Sequence, residues 1–237
     1  MIQLRAASEI EGLLDAACDV CIVGTGPAGS TLARELSGSG LRVVLLESGG
    51  LDRMESADAL DAIVNVGRPR ATQWAVRNRI VGGSSHTWGG RCAPFDTIDF
   101  EQRAWVPESG WPFQRDALDP YLERTAKYLG LAYGNHFSDA RFWELFGSRP
   151  AWSEPDPRLL LPFFWQFSRD DAESYPFEYT RFGRKLDEQL GANVTLISGA
   201  TVVAIDVDEA GDRVQGVQVA APDGAIVKLP ARRVVLC

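Results

Sequence analysis

Three glycines and one acidic residue near the N-terminus have the types and spacing of a dinucleotide site. Residues 24–29 read Gly-Thr-Gly-Pro-Ala-Gly, a G-x-G-x-x-G pattern, and Glu47 follows about 20 residues later. Gly24 allows a tight turn, Gly26 lets a pyrophosphate approach the backbone, and Gly29 lets a helix pack closely on a strand. The pattern therefore predicts that this segment binds a dinucleotide.

The neighbouring groups indicate which nucleotide fits. Pro27 and Ala28 begin a helix whose first N–H groups and positive dipole end attract phosphate. Glu47, with Ser48 beside it, is placed to accept hydrogen bonds from ribose hydroxyls. Because a carboxylate there repels a 2′-phosphate, an NADP-type ligand is disfavoured. The glycines alone do not distinguish FAD from NAD.

The elements around these residues alternate between strand and helix. An apolar strand from Val20 to Val23 leads into the glycines, an amphipathic helix follows, and a second apolar strand from Val43 to Leu46 ends on Glu47. This order predicts a βαβ unit in a Rossmann-like α/β fold.

Composition and charge exclude several classes of partner. The chain has 237 residues, of which 45% are hydrophobic, enough for one large or two small domains. A formal net charge of −8 argues against nucleic acid and anionic membrane, since both require a basic face. No apolar run reaches the roughly 18 residues of a membrane span, and residues 1–17 favour a short amphipathic helix over a signal peptide. We therefore expect a cytoplasmic protein.

Cys18 and Cys21 form a C-x-x-C pair, which in other settings indicates a redox or zinc site. Cys21 lies inside the first predicted strand, and no second pair of cysteines or histidines supplies further ligands. Neither His86 nor His136 has a partner at metal-ligand spacing. The four cysteines are therefore expected to be free thiols, and no metal site is predicted.

A second and denser glycine cluster occupies residues 79–91, Arg-Ile-Val-Gly-Gly-Ser-Ser-His-Thr-Trp-Gly-Gly-Arg. Four glycines within residues 82–90 exclude a continuous helix or strand. Such a loop is typical of backbone that lies against a flat or charged group.

Aromatic residues and prolines become frequent between residues 94 and 179. Leucines at helical spacing predict a helix over 115–129. We interpret 93–180 as an aromatic-rich cap or substrate segment inserted between two parts of the nucleotide-binding domain, 1–92 and 181–237. Its aromatic side chains are compatible with stacking on a sugar, although a hydrophobic core explains any single one more simply.

The last part of the chain alternates apolar and polar residues, after a predicted helix at 184–190. The alternating segments are 193–197, 201–208, 213–220 and 226–229. Turn residues separate the last three, so we expect a small antiparallel meander. A final apolar strand, from Val234 to Leu236, precedes Cys237.

Together these segments resemble the GMC (glucose–methanol–choline) family of FAD-dependent oxidoreductases, and most closely its branch of pyranose oxidases and related bacterial sugar oxidases and dehydrogenases. The resemblance covers almost the whole chain. The βαβ start is shared by many flavoproteins, whereas the cluster at 79–91 and the segment at 100–112 are more specific. It implies a glutathione-reductase-like FAD-binding domain, in which a βαβ unit is followed by an antiparallel meander.

The resemblance also assigns the contacts of FAD. The first glycine loop binds the diphosphate and Glu47 binds the adenosine ribose. The backbone of Val202 or Val203 lines the adenine pocket. The second cluster lies against the flavin ring and the diphosphate through Arg79, Gly82, Gly83, Ser84, His86, Thr87, Trp88, Gly89 and Gly90.

The chain departs from the family at the flavin attachment point. Pyranose oxidases carry a histidine that bonds covalently to the flavin, and this position is Thr87 here. We therefore expect non-covalent FAD. His86, one residue earlier, is left with either a flavin contact or a structural role. Trp88 stands where many members have asparagine, which puts its flavin contact in question.

The family's catalytic base lies far towards the C-terminus of a chain about twice this length. We therefore expect this chain to be the N-terminal portion of a larger enzyme that oxidises a CH–OH group, of a sugar or glycoside, by hydride transfer to flavin. No catalytic residue is assigned, since the base would come from the C-terminal half, as a second polypeptide or a missing segment. The alternatives are an FAD-binding subunit that needs a partner chain for catalysis, and an NAD-dependent dehydrogenase.

Overall fold

The computed structural model describes residues 1–3, 7–13, 17–135, 139–147, 156, 164–170 and 178–237. His136, which has no partner at metal-ligand spacing in the sequence, lies outside these ranges. The chain divides into two compact units, which are Met1–Trp88 with Arg181–Cys237, and Gly89–Thr180.

Regular elements are short throughout the described ranges. The strands are β1 (Ile2–Gln3), β2 (Val20–Val23), β3 (Val43–Glu47), β4 (Arg91–Cys92), β5 (Gln166–Phe167), β6 (Val194–Ser198), β7 (Thr201–Val207), β8 (Val214–Ala220), β9 (Ile226–Pro230) and β10 (Val234–Leu236). The α-helices are α1 (Ala7–Leu13), α2 (Pro27–Glu35), α3 (Glu55–Ala59), α4 (Thr97–Phe100), α5 (Asp119–Tyr128) and α6 (Asp139–Phe146). Short 3₁₀ turns lie at Gln73–Ala75, Gly83–His86, Arg115–Leu118 and Asp187–Gln189.

A parallel sheet forms the centre of the first unit, in the order β1-β6-β3-β2-β10. Every residue of β3 is buried, which is typical of a parallel strand covered on both faces. Its side chains alternate between two clusters, with Val44 and Leu46 in one and Val43 and Leu45 in the other. The predicted Rossmann-like α/β fold and its βαβ unit are thereby confirmed.

Helix α2 connects β2 to β3 and positions the first glycine turn. Pro27 occupies its first turn, where the absent N–H costs no hydrogen bond. Ala33 is fully buried in the cluster that also contains Val20 and Leu45, so one face of the helix packs on the sheet. The helix ends at Glu35, shortly before a turn in which Gly38 has a φ of +76°.

The antiparallel meander consists of three strands, in the order β7-β8-β9. The prediction was wrong for 193–197, because β6 pairs in parallel with β3 and β1 instead. Leu196, Ile197 and Ser198 are each at most 2% exposed, so both faces of β6 are covered and its alternation is not a solvent pattern.

The predicted helix at 184–190 is also wrong. This segment forms turns and a short 3₁₀ turn at Asp187–Gln189. Lys185 has a φ of +53°, a left-handed conformation that interrupts an α-helix. Leu186, fully buried in the core, holds the segment in this shape.

The second unit is built around aromatic contacts. The predicted helix over 115–129 is present as a 3₁₀ turn followed by α5, which begins at Asp119. Phe100 is 3% exposed and packs against Phe95, Trp111 and Phe113, with ring centroids 5.8–6.3 Å away. Among the described helices of both units, none is long and apolar enough to cross a membrane.

Candidate functional site

Two glycines of the first turn are required by packing. Gly24 has a φ of +99°, and a Cβ at this position would lie 2.6 Å from the carbonyl oxygen of Cys237. A Cβ on Gly29 would lie 2.0 Å from the carbonyl oxygen of Gly24. Both distances are far shorter than any real Cβ contact, so these glycines bring α2 close to β2 and β10.

Gly26 differs from these two glycines. Its φ of −61° is open to any residue, and an added Cβ would meet nothing within 4 Å. No side chain caps the start of α2, and Pro27 and Ala28 are exposed. The N-terminus of the helix therefore faces open space, where its N–H groups and dipole can meet an anion.

Glu47 ends β3 and is buried, at 6% exposure. Its Oε2 accepts hydrogen bonds from the Thr25 hydroxyl at 2.6 Å and the Thr25 N–H at 3.1 Å. Its Oε1 accepts one from the Gly49 N–H at 2.9 Å. The carboxylate therefore ties the first turn to the end of β3, and its contact with a ribose stays a prediction.

The second glycine loop lies against the first turn. Gly82 and Gly83 have φ angles of +100° and +54°. The Gly82 N–H donates to Thr25 Oγ1 at 3.0 Å, and a Cβ on Gly83 would lie 3.1 Å from the Cα of Gly26. Two segments that the sequence separates are thus brought into backbone contact. Ser84, the next residue, is exposed.

The segment Arg181-Phe182-Gly183 supports the second loop from behind. Ser85, 1% exposed, donates its hydroxyl to the Gly82 carbonyl at 2.7 Å and accepts from the Phe182 N–H at 3.0 Å. Arg181 donates to the Ser85 carbonyl. A Cβ on Gly183 would lie 1.9 Å from the Val81 carbonyl oxygen, so only glycine fits beside the loop.

The side chains of the three residues after Ser85 contact other residues of the protein. His86 Nε2 donates to the Val81 carbonyl at 2.8 Å, since a carbonyl can only accept. The Thr87 hydroxyl donates to Asn78 Oδ1 at 2.6 Å. Trp88 meets Phe182 edge to face, with ring centroids 6.2 Å apart. His86 is thus held at Nε2, and its contact with a flavin stays a prediction.

Gly89 and Gly90 belong to the second unit. Gly90 has a φ of +65°, and a Cβ there would lie 2.5 Å from the ring of Tyr179. A Cβ on Gly89 would meet nothing within 4 Å.

A cavity of about 280 Å³ lies between the end of β3, α3 and the meander. Its lining includes Ser48, Ala57, Thr201, Val203 and Ala220. Of the two residues proposed for the adenine pocket, Val203 lines this cavity and is 51% exposed, whereas Val202 packs against the core.

Strand pairing explains the different orientation of these two valines. Val202 pairs with Val219 and Ala204 with Gln218, so the register between β7 and β8 skips Val203. A bulge of this kind directs a side chain away from the regular face.

Arg79 bonds to Ser48, one of the residues that line this cavity. Its Nε donates to Asp61 Oδ1 at 2.8 Å and its Nη1 to Ser48 Oγ at 3.0 Å. The sequence assigned Arg79 to the cofactor but did not find Asp61, whose segment carries no motif.

Sequence reasoning also missed Thr25, which binds the first glycine loop to the second, and Ser85, which binds the second loop to Phe182. Both are variable positions of glycine motifs, so no pattern marks them. Their partners, Gly82 and Phe182, become neighbours through tertiary structure alone.

Cys18 and Cys21 are fully buried. Burial raises the pKa of the Cys18 thiol to about 11 and that of Cys21 to about 12. Neither is a reactive thiolate at neutral pH, which favours the packing interpretation of the C-x-x-C pair.

One protein-family model and two curated proteins share sequence with this chain. The family model described as FAD dependent oxidoreductase (DAO) matches residues 19–237. The chain is 30% identical over 137 residues to 6'''-hydroxyparomomycin C oxidase of Streptomyces lividus, a match that covers 52% of this chain and 25% of that protein. It is 39% identical over 87 residues to sarcosine oxidase subunit alpha of Corynebacterium sp. (strain U-96), covering 34% of this chain and 8% of that protein.

Solved structures share the fold over nearly the whole chain. Pyridoxine 4-oxidase from Mesorbium loti matches with a TM-score of 0.53 at 20% identity, covering 93% of this chain and 49% of that one. A fungal aryl-alcohol oxidase matches with a TM-score of 0.56 at 15% identity, covering 94% and 46%. At these identities the likeness concerns the fold alone. The chain spans about half the length of these structures and a quarter or less of the curated relatives.

Proposed function

The chain belongs to the family of FAD-dependent oxidoreductases, and we propose that it is the FAD-binding portion of a GMC-type, pyranose-oxidase-like enzyme that oxidises a CH–OH group. The observation that carries this proposal is the contact between the two glycine loops, where Gly82 donates to Thr25 and Gly83 approaches Gly26. The family match favours FAD over the NAD-dependent alternative.

The residues present fit FAD. The open space at Gly26 and the uncapped start of α2 leave room and N–H groups for the diphosphate. Ser48 and Glu47 would face the adenosine ribose, and the cavity beside Val203 would hold the adenine. The backbone of the second loop, at Gly82 to Ser84 with Trp88, would lie against the flavin ring.

We propose that FAD is held without a covalent bond. Thr87, at the family's attachment position, cannot form that linkage through a hydroxyl, and its hydroxyl is bonded to Asn78. His86, the neighbouring imidazole, is bonded to the Val81 carbonyl.

FAD, when bound, supplies the hydride acceptor for the oxidation of an alcohol. The residues of this chain would orient the cofactor and present backbone N–H groups to the polar edge of its ring. His86 is the histidine among the described residues, and its Nε2 donates to the Val81 carbonyl. We propose that the base comes from the rest of the enzyme, either a partner polypeptide or a further segment, and the greater length of the matched structures supports this.

A sugar or glycoside is the proposed substrate. Support comes from the sequence similarity to a protein named as an oxidase of 6'''-hydroxyparomomycin C. The exposed aromatic side chains of the second unit, among them Trp105 and Trp111, offer faces on which a sugar ring can stack.

The test is a titration of the purified chain with FAD and, separately, with NAD⁺, followed by fluorescence and calorimetry. We expect FAD to bind and NAD⁺ not to bind. Denaturing mass spectrometry of the loaded chain should then return the bare chain of 25.9 kDa and free FAD. No binding of FAD would overturn the proposal, and a mass increased by one flavin would overturn its non-covalent part.

A further inference from the structure

Thr25 occupies the first glycine turn but is fully buried. Its hydroxyl donates to Glu47 Oε2 at 2.6 Å, and its own N–H donates to the same oxygen at 3.1 Å. Its carbonyl accepts from the Ser30 hydroxyl at 2.6 Å, and Ser30 is also fully buried. The polar groups of this residue are therefore directed into the protein rather than towards the open space at Gly26.

The hydroxyl of Thr25 joins three distant segments. Its oxygen accepts from the Gly82 N–H at 3.0 Å, across 57 residues of sequence, while its hydrogen goes to Glu47, 22 residues away. A backbone N–H can only donate, and a carboxylate accepts. The single hydroxyl proton therefore has one orientation that satisfies both partners, and no apolar side chain can replace it.

The second loop is confined on its other side as well. A Cβ on Gly82 would lie 2.4 Å from the Gly183 backbone nitrogen, so Gly82 is enclosed between Thr25 and Gly183. Gly83 is in turn close to Gly26, since a Cβ added to Gly83 would lie 3.1 Å from the Cα of Gly26. Among the hydrogen bonds of the described residues, the bond from Gly82 to Thr25 crosses between the two loops at this point of close approach.

We propose that Thr25 is a positioning residue for the cofactor, whose hydroxyl holds the second glycine loop at the distance from the phosphate-binding turn that FAD requires. This inference rests on the proposed function. Thr25 does not contact the cofactor in this scheme, and it acts through Gly82 and Glu47. A site whose loops are already in place loses less conformational freedom on binding, so losing the hydroxyl weakens FAD binding.

Three variants of the full chain test this role. Thr25→Val keeps the shape of the side chain and removes the hydroxyl, whereas Thr25→Ser keeps the hydroxyl. Thr31→Val is the matched control, since the Thr31 hydroxyl donates to the Pro27 carbonyl at an exposed site on α2. The measurements are the Kd for FAD and the rise in melting temperature caused by saturating FAD.

We expect Thr25→Val to bind FAD at least about tenfold more weakly, because the buried Gly82 N–H loses its acceptor. Glu47 Oε2 still accepts from the Thr25 N–H in this variant. Thr25→Ser and Thr31→Val should stay near the original affinity. Rescue by serine separates positioning from a loss of side-chain volume. Original affinity in a folded Thr25→Val would overturn the inference, while no FAD binding by the original chain would overturn the proposed function itself.

Amide hydrogen exchange at Gly82 decides the matter if Thr25→Val does not fold. The bond to Thr25 predicts that this N–H is protected in the original chain and in Thr25→Ser before FAD is added. Rapid exchange at Gly82 in the original chain would show that the loop is not held, and would overturn the inference.

Discussion

Glu47 accepts hydrogen bonds at both of its oxygens while being 6% exposed. An amide in place of the carboxylate turns one oxygen into a donor. If the NH₂ takes the Oε1 position, it meets the Gly49 N–H, and two donors face each other. If it takes the Oε2 position, it meets the Thr25 N–H in the same way. Glu47→Gln is therefore expected to lower the free energy of unfolding by about 1–3 kcal/mol even without FAD.

Urea unfolding of the cofactor-free chain measures this effect. Glu209→Gln, in an exposed turn of the meander, is the matched control and should change stability little. A Glu47→Gln variant as stable as the original would show that the hydrogen bonds of the carboxylate to Thr25 and Gly49 do not stabilise the turn.

The buried thiols make a prediction about pH. The ordinary thiol pKa is 9.0, whereas burial raises the pKa of Cys21 to about 12. As the pH rises above 9, the unfolded chain releases thiol protons that the folded chain retains, so stability falls with pH. The stabilising contribution is complete below pH 9 and is lost up to about pH 12.

Between about pH 8 and 11, the unfolding free energy should therefore fall less steeply with pH in Cys21→Ala than in the original chain. The difference in slope should correspond to at most about one proton, the one that the folded chain retains on Cys21. Any cavity left by the substitution shifts the whole curve and leaves its slope unchanged. Equal slopes would mean that Cys21 titrates alike in both states.

Single residues also show where sequence reasoning ends. Gly24, Gly29 and Glu47 could be found because their roles are local, in one βαβ unit. Thr25 could not, because the partner that gives its hydroxyl a role is Gly82, 57 residues later. The sequence offered Val202 and Val203 as candidates for the adenine pocket, and it is the strand register that gives the two side chains different orientations.

At the scale of elements, the β2–α2 turn separates a glycine needed for folding from one needed for binding. Gly29→Ala would place a Cβ 2.0 Å from the Gly24 carbonyl and should destabilise the chain by about 1–3 kcal/mol or more. Gly26→Ala meets nothing within 4 Å at an ordinary φ, so the cofactor-free fold should be as stable or slightly more stable. The added methyl nevertheless projects where the diphosphate would approach, so FAD affinity should fall.

Unfolding and FAD titration of both variants check this contrast. Gly26→Ala with unchanged FAD affinity would place the diphosphate elsewhere. A fully stable Gly29→Ala would contradict the close packing of α2.

Strand β7 carries a second contrast. Val203→Phe should fill part of the 280 Å³ cavity and weaken the binding of FAD and of AMP, a probe for the adenosine half alone. Ile205→Phe, on the same strand, is the control, since Ile205 is 39% exposed and does not line the cavity. Calorimetric titration with AMP measures both, and equal affinities would exclude this cavity as the adenosine site.

Elements with strong local patterns could be predicted, and those set by their neighbours could not. The buried strands β2 and β3 and the meander strands agree with their apolar patterns. Residues 184–190 have helical composition, but burial of Leu186 and the left-handed Lys185 prevent a helix. Strand β6 alternates like a meander strand, yet its place between β3 and β1 buries both faces.

At the scale of the whole molecule, the contacts that favour FAD binding lie in the first unit, whereas we propose that the catalytic base belongs to the rest of the enzyme. Within the first unit, Nε2 of His86 donates to Val81 and the carboxylate of Glu47 accepts from Thr25 and Gly49. We therefore expect this chain to bind FAD without oxidising an alcohol.

An anaerobic test with the FAD-loaded chain checks this expectation. The sample should keep its visible flavin absorbance when D-glucose, a glycoside or benzyl alcohol is added. Dithionite should bleach the same sample at once, because direct electron transfer to a bound flavin needs no base. Bleaching by any of the alcohols in the chain alone would place the catalytic base within these 237 residues and contradict the proposal that the rest of the enzyme supplies it.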